Sequence, residues 1–209
     1  MAAKDRTEGT ASVRTRQGGD ARGRILDVAE RLVQIRGYNG FSYADVAAEL
    51  KVTKASLHYH FPGKAELGEA LLARYAERFA VALAAIDVEI EDPTAKLEAY
   101  AGLYADVLRG QRMCLCGMLA AEYETLPDPV REAVISFLDD NEIWLERVLE
   151  RGRETGELRF DGPARETAQS IVSGLEGAML VARPYGELGR FEGAAARLLA
   201  SLAGAVRER

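Results

Sequence analysis

Residues 42–64 read SYADVAAELKVTKASLHYHFPGK, and this stretch decides the fold. Val46, Ala47 and Leu50 lie at helical spacing behind Ser42. Asp45, three residues after Ser42, is placed to complete a capping box. This pattern predicts a helix over 42–50, and Lys51-Val52 then makes a turn. Thr53 is a good N-cap residue, so a second helix of two turns runs over 54–60 until Pro62-Gly63 stops it. Val52 before the cap and Leu57 at the fourth helical position are spaced as a hydrophobic staple, which would fix the angle at which this helix starts. Leu57 and Phe61 point inward, leaving Lys54, Ala55, Ser56, His58, Tyr59 and His60 outward. A short helix, rigidly started, with small residues at its tip and polar flanks, fits the major groove of duplex DNA.

Upstream, Ile25, Val28, Ala29, Leu32 and Ile35 share one face of a helix over 20–36, with Asp20 as its cap and Gly37 as its end. Before it, residues 1–19 are rich in Gly, Ser, Thr and charge and have almost nothing to bury. They read as a disordered basic arm, either a solubilising tail or, through Arg14 and Arg16, a DNA-reaching one.

Downstream, apolar residues recur at helical spacing to the end of the chain, so the fold class is all-α with about nine helices. A long fourth helix starts at Lys64. Asp92-Pro93 and Asp128-Pro129 are cap-plus-proline helix starts, and Asp161-Gly162-Pro163 opens an eighth helix that ends before Pro184. The eighth helix and the ninth, over 190–206, carry apolar residues on more than one face, Ala168, Val172, Gly177 and Met179 in one and Ala194, Leu198 and Leu202 in the other. A second buried face on both helices predicts a homodimer joined through them, with a two-sided core helix as the plainer alternative. The domains are thus a 1–19 arm, a 20–66 helix-turn-helix domain and a 67–209 ligand-binding and dimerisation domain.

Charge divides along the same line. The 209 residues carry a net charge of −6, but residues 1–64 hold 11 Lys and Arg against 7 Asp and Glu, and the rest 16 against 26. The first third is therefore +4 and the remainder −10, so only the first third suits a polyanion. The polar start has no signal-peptide core and no apolar run is long enough to span a bilayer, which predicts a cytoplasmic protein with no membrane association.

Candidate sites weigh differently. His58 and His60, the only histidines, are two residues apart and do not share a helical face, so no metal is expected. Cys114 and Cys116 have the same spacing, so they form no disulfide framework and are either small hydrophobes or one reactive thiol. Tyr100, Tyr104, Met118, Tyr123, Trp144 and Met179 either fill the core or line an effector pocket. Glu122, between Ala121 and Tyr123, either marks that pocket or faces water. No P-loop, GxSxG or HExxH is present, so neither catalysis nor a cofactor is expected.

The run from Gly37 through Phe41, Ser42, Val46, Ala47, Val52, Leu57, His60, Phe61, Pro62, Lys64 and Leu67 resembles the DNA-binding domain of TetR-family transcriptional regulators. The resemblance implies a homodimeric repressor that binds a palindromic DNA operator and is released by a small-molecule effector. It implies phosphate contacts from Ser42, Tyr43 and Lys64, base-edge contacts from Lys54, Ala55 and Ser56, and phosphate or base contacts from His58, Tyr59 and His60. His58 stands where the family most often has Tyr. The rival readings are a helical ligand carrier or enzyme without DNA binding, and a DNA-binding activator with no inducer.

Overall fold

The computed structural model describes residues 8–202, with side chains from Ala21 onward. Among the described residues the chain is all-α, with no strand: α1 (Glu8–Arg36), α2 (Tyr43–Leu50), α3 (Lys54–His60), α4 (Lys64–Glu89), α5 (Pro93–Arg109), α6 (Leu115–Ala121), α7 (Asp128–Thr155), α8 (Ala164–Ala182) and α9 (Leu188–Ala200). Two 3-10 turns follow α6 and α8, at Tyr123–Thr125 and Arg183–Tyr185.

Local chemistry explains most boundaries. The Asp45 carboxylate accepts from the Ser42 N–H at 2.7 Å and from its hydroxyl at 2.6 Å, closing the start of α2. Thr53 Oγ1 accepts from the Ser56 N–H at 3.2 Å, and Asp92 Oδ1 from the Thr94 N–H at 2.9 Å, capping α3 and α5. Lys51 takes the left-handed conformation at φ 57° to end α2.

Three expectations need correction. Helix α1 starts at Glu8, so Asp20 lies inside the helix instead of capping it. Residues 8–19 contain no proline, and although Gly9, Gly18 and Gly19 weaken a helix, extending one already nucleated by its buried turns is cheaper than starting one. Residues 1–7 of the expected arm, and the side chains of Arg14 and Arg16, lie outside the described residues. The expected staple is lopsided, with Val52 40% exposed and Leu57 fully buried. Helix α6 is short, since Met113 and Cys114 precede it and the chain tightens into the 3-10 turn after Glu122. Helix α9 runs over Leu188–Ala200 and gives way to a turn at Ser201 and Leu202, where the expectation was a helix over 190–206; residues 203–209 lie outside the described ones.

One apolar core runs from Ile25, Leu32, Val46, Leu57 and Leu67 in the first four helices to Leu97, Tyr100, Leu145 and Leu175 in the others. Each such side chain contributes about 1.5–3 kcal/mol when fully buried. Helix α4 belongs to both halves, and the expected 66/67 domain boundary falls within it. Its middle is fixed to α1 by Glu30, a buried carboxylate that accepts from Arg74 at 2.9 Å and Arg78 at 2.6 Å. Arg74 is the better shielded of the two partners, whereas Arg78 is half-exposed.

Candidate nucleic-acid interface and buried polar core

The reading helix is presented as its sequence demands. Leu57 and Phe61 anchor α3 in the core, while Lys54, Ala55, His58 and Tyr59 stand exposed and Ser56 and His60 are half-buried. Tyr59, at 86% exposure, leaves its ring free in water on the outer face of the helix. Ser42 is exposed at the start of α2.

Three expected DNA-contact residues are also engaged within the domain. The Tyr43 hydroxyl lies 2.9 Å from the Phe61 carbonyl and 2.6 Å from that of Gly63, and its ring packs on His58 at 4.7 Å. His58 Nδ1 is 2.9 Å from the Pro62 carbonyl. A carbonyl only accepts, so Nδ1 carries the proton and Nε2 is a donor only in the imidazolium form. The Lys64 ammonium donates to the Phe41 carbonyl at 2.6 Å and sits 4.3 Å from the Phe41 ring centre and 4.6 Å from that of Tyr38. Burial in this cage lowers the Lys64 pKa. Its ammonium therefore braces the loop between α1 and α2 as well as marking the edge of the reading head.

The residues expected to line a pocket divide. Tyr100, Tyr104, Trp144 and Met179 are all buried. The Tyr100 and Tyr104 hydroxyls are 3.1 Å apart, Tyr100 donates to Asn141 Oδ1 at 3.1 Å, and its ring stacks on Trp144 at 5.6 Å. The Trp144 indole N–H donates to Asp87 at 2.9 Å. Met118, Glu122 and Tyr123 lie elsewhere. Met118 Sδ meets the Arg183 guanidinium at 3.4 Å, and the Arg131 guanidinium lies 5.6 Å over the Tyr123 ring. Glu122 turns away from the helical core toward the loop after α1, where its Oε2 accepts from the Tyr38 N–H at 2.5 Å and the Asn39 N–H at 3.3 Å.

Sequence reasoning missed Glu176. Its carboxyl packs against the backbone of α6, where a Cβ on Gly117 would lie 2.2 Å from Oε2. Its Oε1 is buried with no hydrogen-bond partner. Burial first, and the neighbouring Cys114 second, push its pKa up to about 10, so the carboxyl is neutral at pH 7. Around it are two buried free cysteines, Cys114 and Cys116, and the Tyr75 hydroxyl, 3.8 Å from Cys114 Sγ. Burial drives the Tyr75 and Cys116 pKa values well up, whereas a hydrogen bond from Cys116 lowers that of Cys114. A partnerless carboxyl oxygen in a core costs about 1–3 kcal/mol, so this cluster is a polar weak point in an otherwise apolar core. A charged residue in an outwardly ordinary stretch, SGLEGAML, was the available signal.

An exposed two-turn reading helix on a small three-helix head, followed by a larger helical domain, defines a helix-turn-helix transcriptional regulator. The pattern described as "Bacterial regulatory proteins, tetR family" matches residues 25–71, and that described as "Tetracyclin repressor-like, C-terminal domain" matches residues 93–198. The chain belongs to the TetR family. It is 31% identical to the transcriptional regulator AcuR of Cereibacter sphaeroides over 71% of this chain and 69% of that one. It is 28% identical to the HTH-type transcriptional repressor DhaR of Mycobacterium sp., over 69% of this chain and 73% of that one. A TetR-family regulator from Agrobacterium tumefaciens superposes with a TM-score of 0.86 at 32% identity, covering 90% of this chain and all of that one.

Proposed function

We propose that this regulator is a homodimeric repressor that places two α3 helices in successive major grooves of a palindromic operator and lets go when a small molecule enters its helical domain. The observation that carries the DNA half is the exposed tip of α3, Lys54 and Ala55 with Tyr59, on a helix whose other face is fixed by Leu57 and Phe61. Ser42, Tyr43, Lys54, Ala55, Ser56, His58, Tyr59, His60 and Lys64 form the contact surface, with Ser56 and Ala55 at base edges and Lys64 at a phosphate.

The outer face of α8 supports the dimer. Leu180 and Val181 are 60% and 64% exposed, and Ser173 and Gly177 continue the same face. On the neighbouring α9, Ala194 is exposed one turn before Leu198, which packs against Gly174 of α8. Small and apolar residues over two packed helices allow close approach of the same face from a second copy. The effector reading rests on the Glu176 cluster, which with Tyr75, Tyr100 and Tyr104 provides apolar walls with few polar groups.

Selection of random-sequence duplexes by the purified protein tests the reading. The expected product is a palindrome with half-site centres about 10 base pairs apart, the spacing of successive major grooves. Recovery of single, unpaired half-sites would sink the dimeric mode. A thermal-shift screen of small molecules tests the effector half, because a ligand of the folded state raises the melting temperature.

A further inference from the structure

The last residues of α1 and the loop after it are held by the other domain at several points. The Met113 N–H donates to the Gln34 carbonyl at 3.2 Å. Arg112 reaches the Gln34 side chain at 3.3 Å, and Arg183 donates to the Ile35 carbonyl. Asn39 Nδ2 donates to Thr125 Oγ1 at 2.6 Å. Glu122, the residue that ends α6, closes this set with its carboxylate on the Tyr38 and Asn39 N–H groups.

The Glu122 contact is unusual electrostatically. It brings a carboxylate to the C-terminal end of α1, where the helix dipole is negative and repels an anion. Gly37 reverses that. At φ +85° it turns the next two N–H groups toward the carboxylate, making an anion-binding nest. A Cβ on Gly37 would also lie 2.7 Å from Glu122 Oε1, so the seat needs glycine for space as well as conformation. No Lys or Arg lies within ion-pairing distance of Glu122 among the described ion pairs, and the Lys64 ammonium acts on it only from farther off. The seat is therefore specific in geometry, with attraction from the nest opposed by the helix end.

The far side of the same loop leads to the reading head. Tyr38, whose N–H meets Glu122, donates its hydroxyl to the Lys64 carbonyl at 2.9 Å. Cys114, beside Glu176, precedes the other end of α6. Helix α6 thus touches the buried polar cluster at its start and the loop before α2 at its end.

We propose that Glu122 is a positioning residue for DNA reading: seated on the Tyr38 and Asn39 N–H groups, it sets the α2–α3 head relative to α6. The inference rests on the DNA-binding reading above. The test is amide hydrogen exchange over α6, with and without a duplex recovered by the selection described, in the full chain and in Glu122→Gln and Glu122→Ala. Duplex binding is expected to slow α6 exchange in the unaltered chain. Both variants are expected to lose that response, and Glu122→Ala to bind the duplex about tenfold more weakly, within the usual range of coupling between sites. The isosteric Glu122→Gln keeps one carbonyl acceptor, so it folds even where Glu122→Ala does not, and it decides the question alone. A role in stability only would lower the melting temperature and leave the α6 response intact. That result, or no α6 response in the unaltered chain, overturns the proposal. Failure to recover any duplex would instead overturn the DNA-reading mode and the joint along with it.

Discussion

The Tyr38 hydroxyl donates to the backbone carbonyl of Lys64 at 2.9 Å, so one side chain from the loop after α1 fixes the first residue of α4. The same Tyr38 ring forms one wall of the cage around the Lys64 ammonium. Burial raises the Tyr38 pKa to about 12, so the hydroxyl keeps its proton throughout the physiological range. Tyr38→Phe should cost about 1 kcal/mol of stability, the net worth of a hydrogen bond, measured by urea unfolding. No loss would mean that water replaces the hydroxyl at the Lys64 carbonyl.

Lys64 combines a structural and a DNA-binding role. Lys64→Ala should lower stability by about 1 kcal/mol through loss of the Phe41 bond and the ring contacts. It should also reduce the slope of log affinity for the selected duplex against log salt by about 1, the amount for one phosphate. A destabilised protein with an unchanged slope would confine Lys64 to the loop.

Glu176 makes a pH prediction. Its folded pKa of about 10 lies above the ordinary 4.5, so the folded state holds a proton the unfolded state releases. Its contribution is fully present below about pH 4.5 and diminishes as pH rises toward the folded value. Cys114, lowered to about 6, ionises earlier in the folded than in the unfolded state and offsets part of this fall as the pH approaches 6. From Glu176 alone stability should fall by about 1.4 kcal/mol per pH unit, the limiting slope for one proton. Glu176→Gln should remove that slope in urea titrations at pH 5 and pH 6. Equal slopes in the two proteins would show that Glu176 is solvated.

The dimer face is open to direct attack. Leu180→Asp combined with Val181→Asp puts two charges on an exposed surface, so the fold should survive, with a change in stability within about 0.5 kcal/mol per site in the isolated chain. Sedimentation should then show a monomer, and affinity for a palindromic duplex should fall to that of one half-site. A variant that remains dimeric would place the interface elsewhere.

Much of the reading head is legible from sequence because its determinants are local. Ser42 and Asp45, and Thr53 with Ser56, act across three residues, and the apolar spacing of Val46, Ala47 and Leu57 gives the buried face directly. The burial of Tyr100, Tyr104 and Trp144 follows from periodicity in the same way. What escapes is long-range polar pairing. Nothing between Ala121 and Tyr123 announces that Glu122 meets N–H groups 83 and 84 residues earlier. The inward turn of the Lys64 ammonium depends on two aromatic rings that only the folded loop brings together. Glu176 is missed for a related reason: its burial depends on the missing side chain of Gly117 on another helix.

Trp144 is the single tryptophan of the chain, stacked on Tyr100 and hydrogen-bonded to Asp87 near the end of α4. Helix α4 begins at Lys64 beside the reading head and ends at Glu89, two residues past Asp87. The intrinsic emission of this protein is consequently a label-free gauge of the far end of the helix whose near end borders the DNA surface, and any movement along that helix registers as a change in colour or intensity.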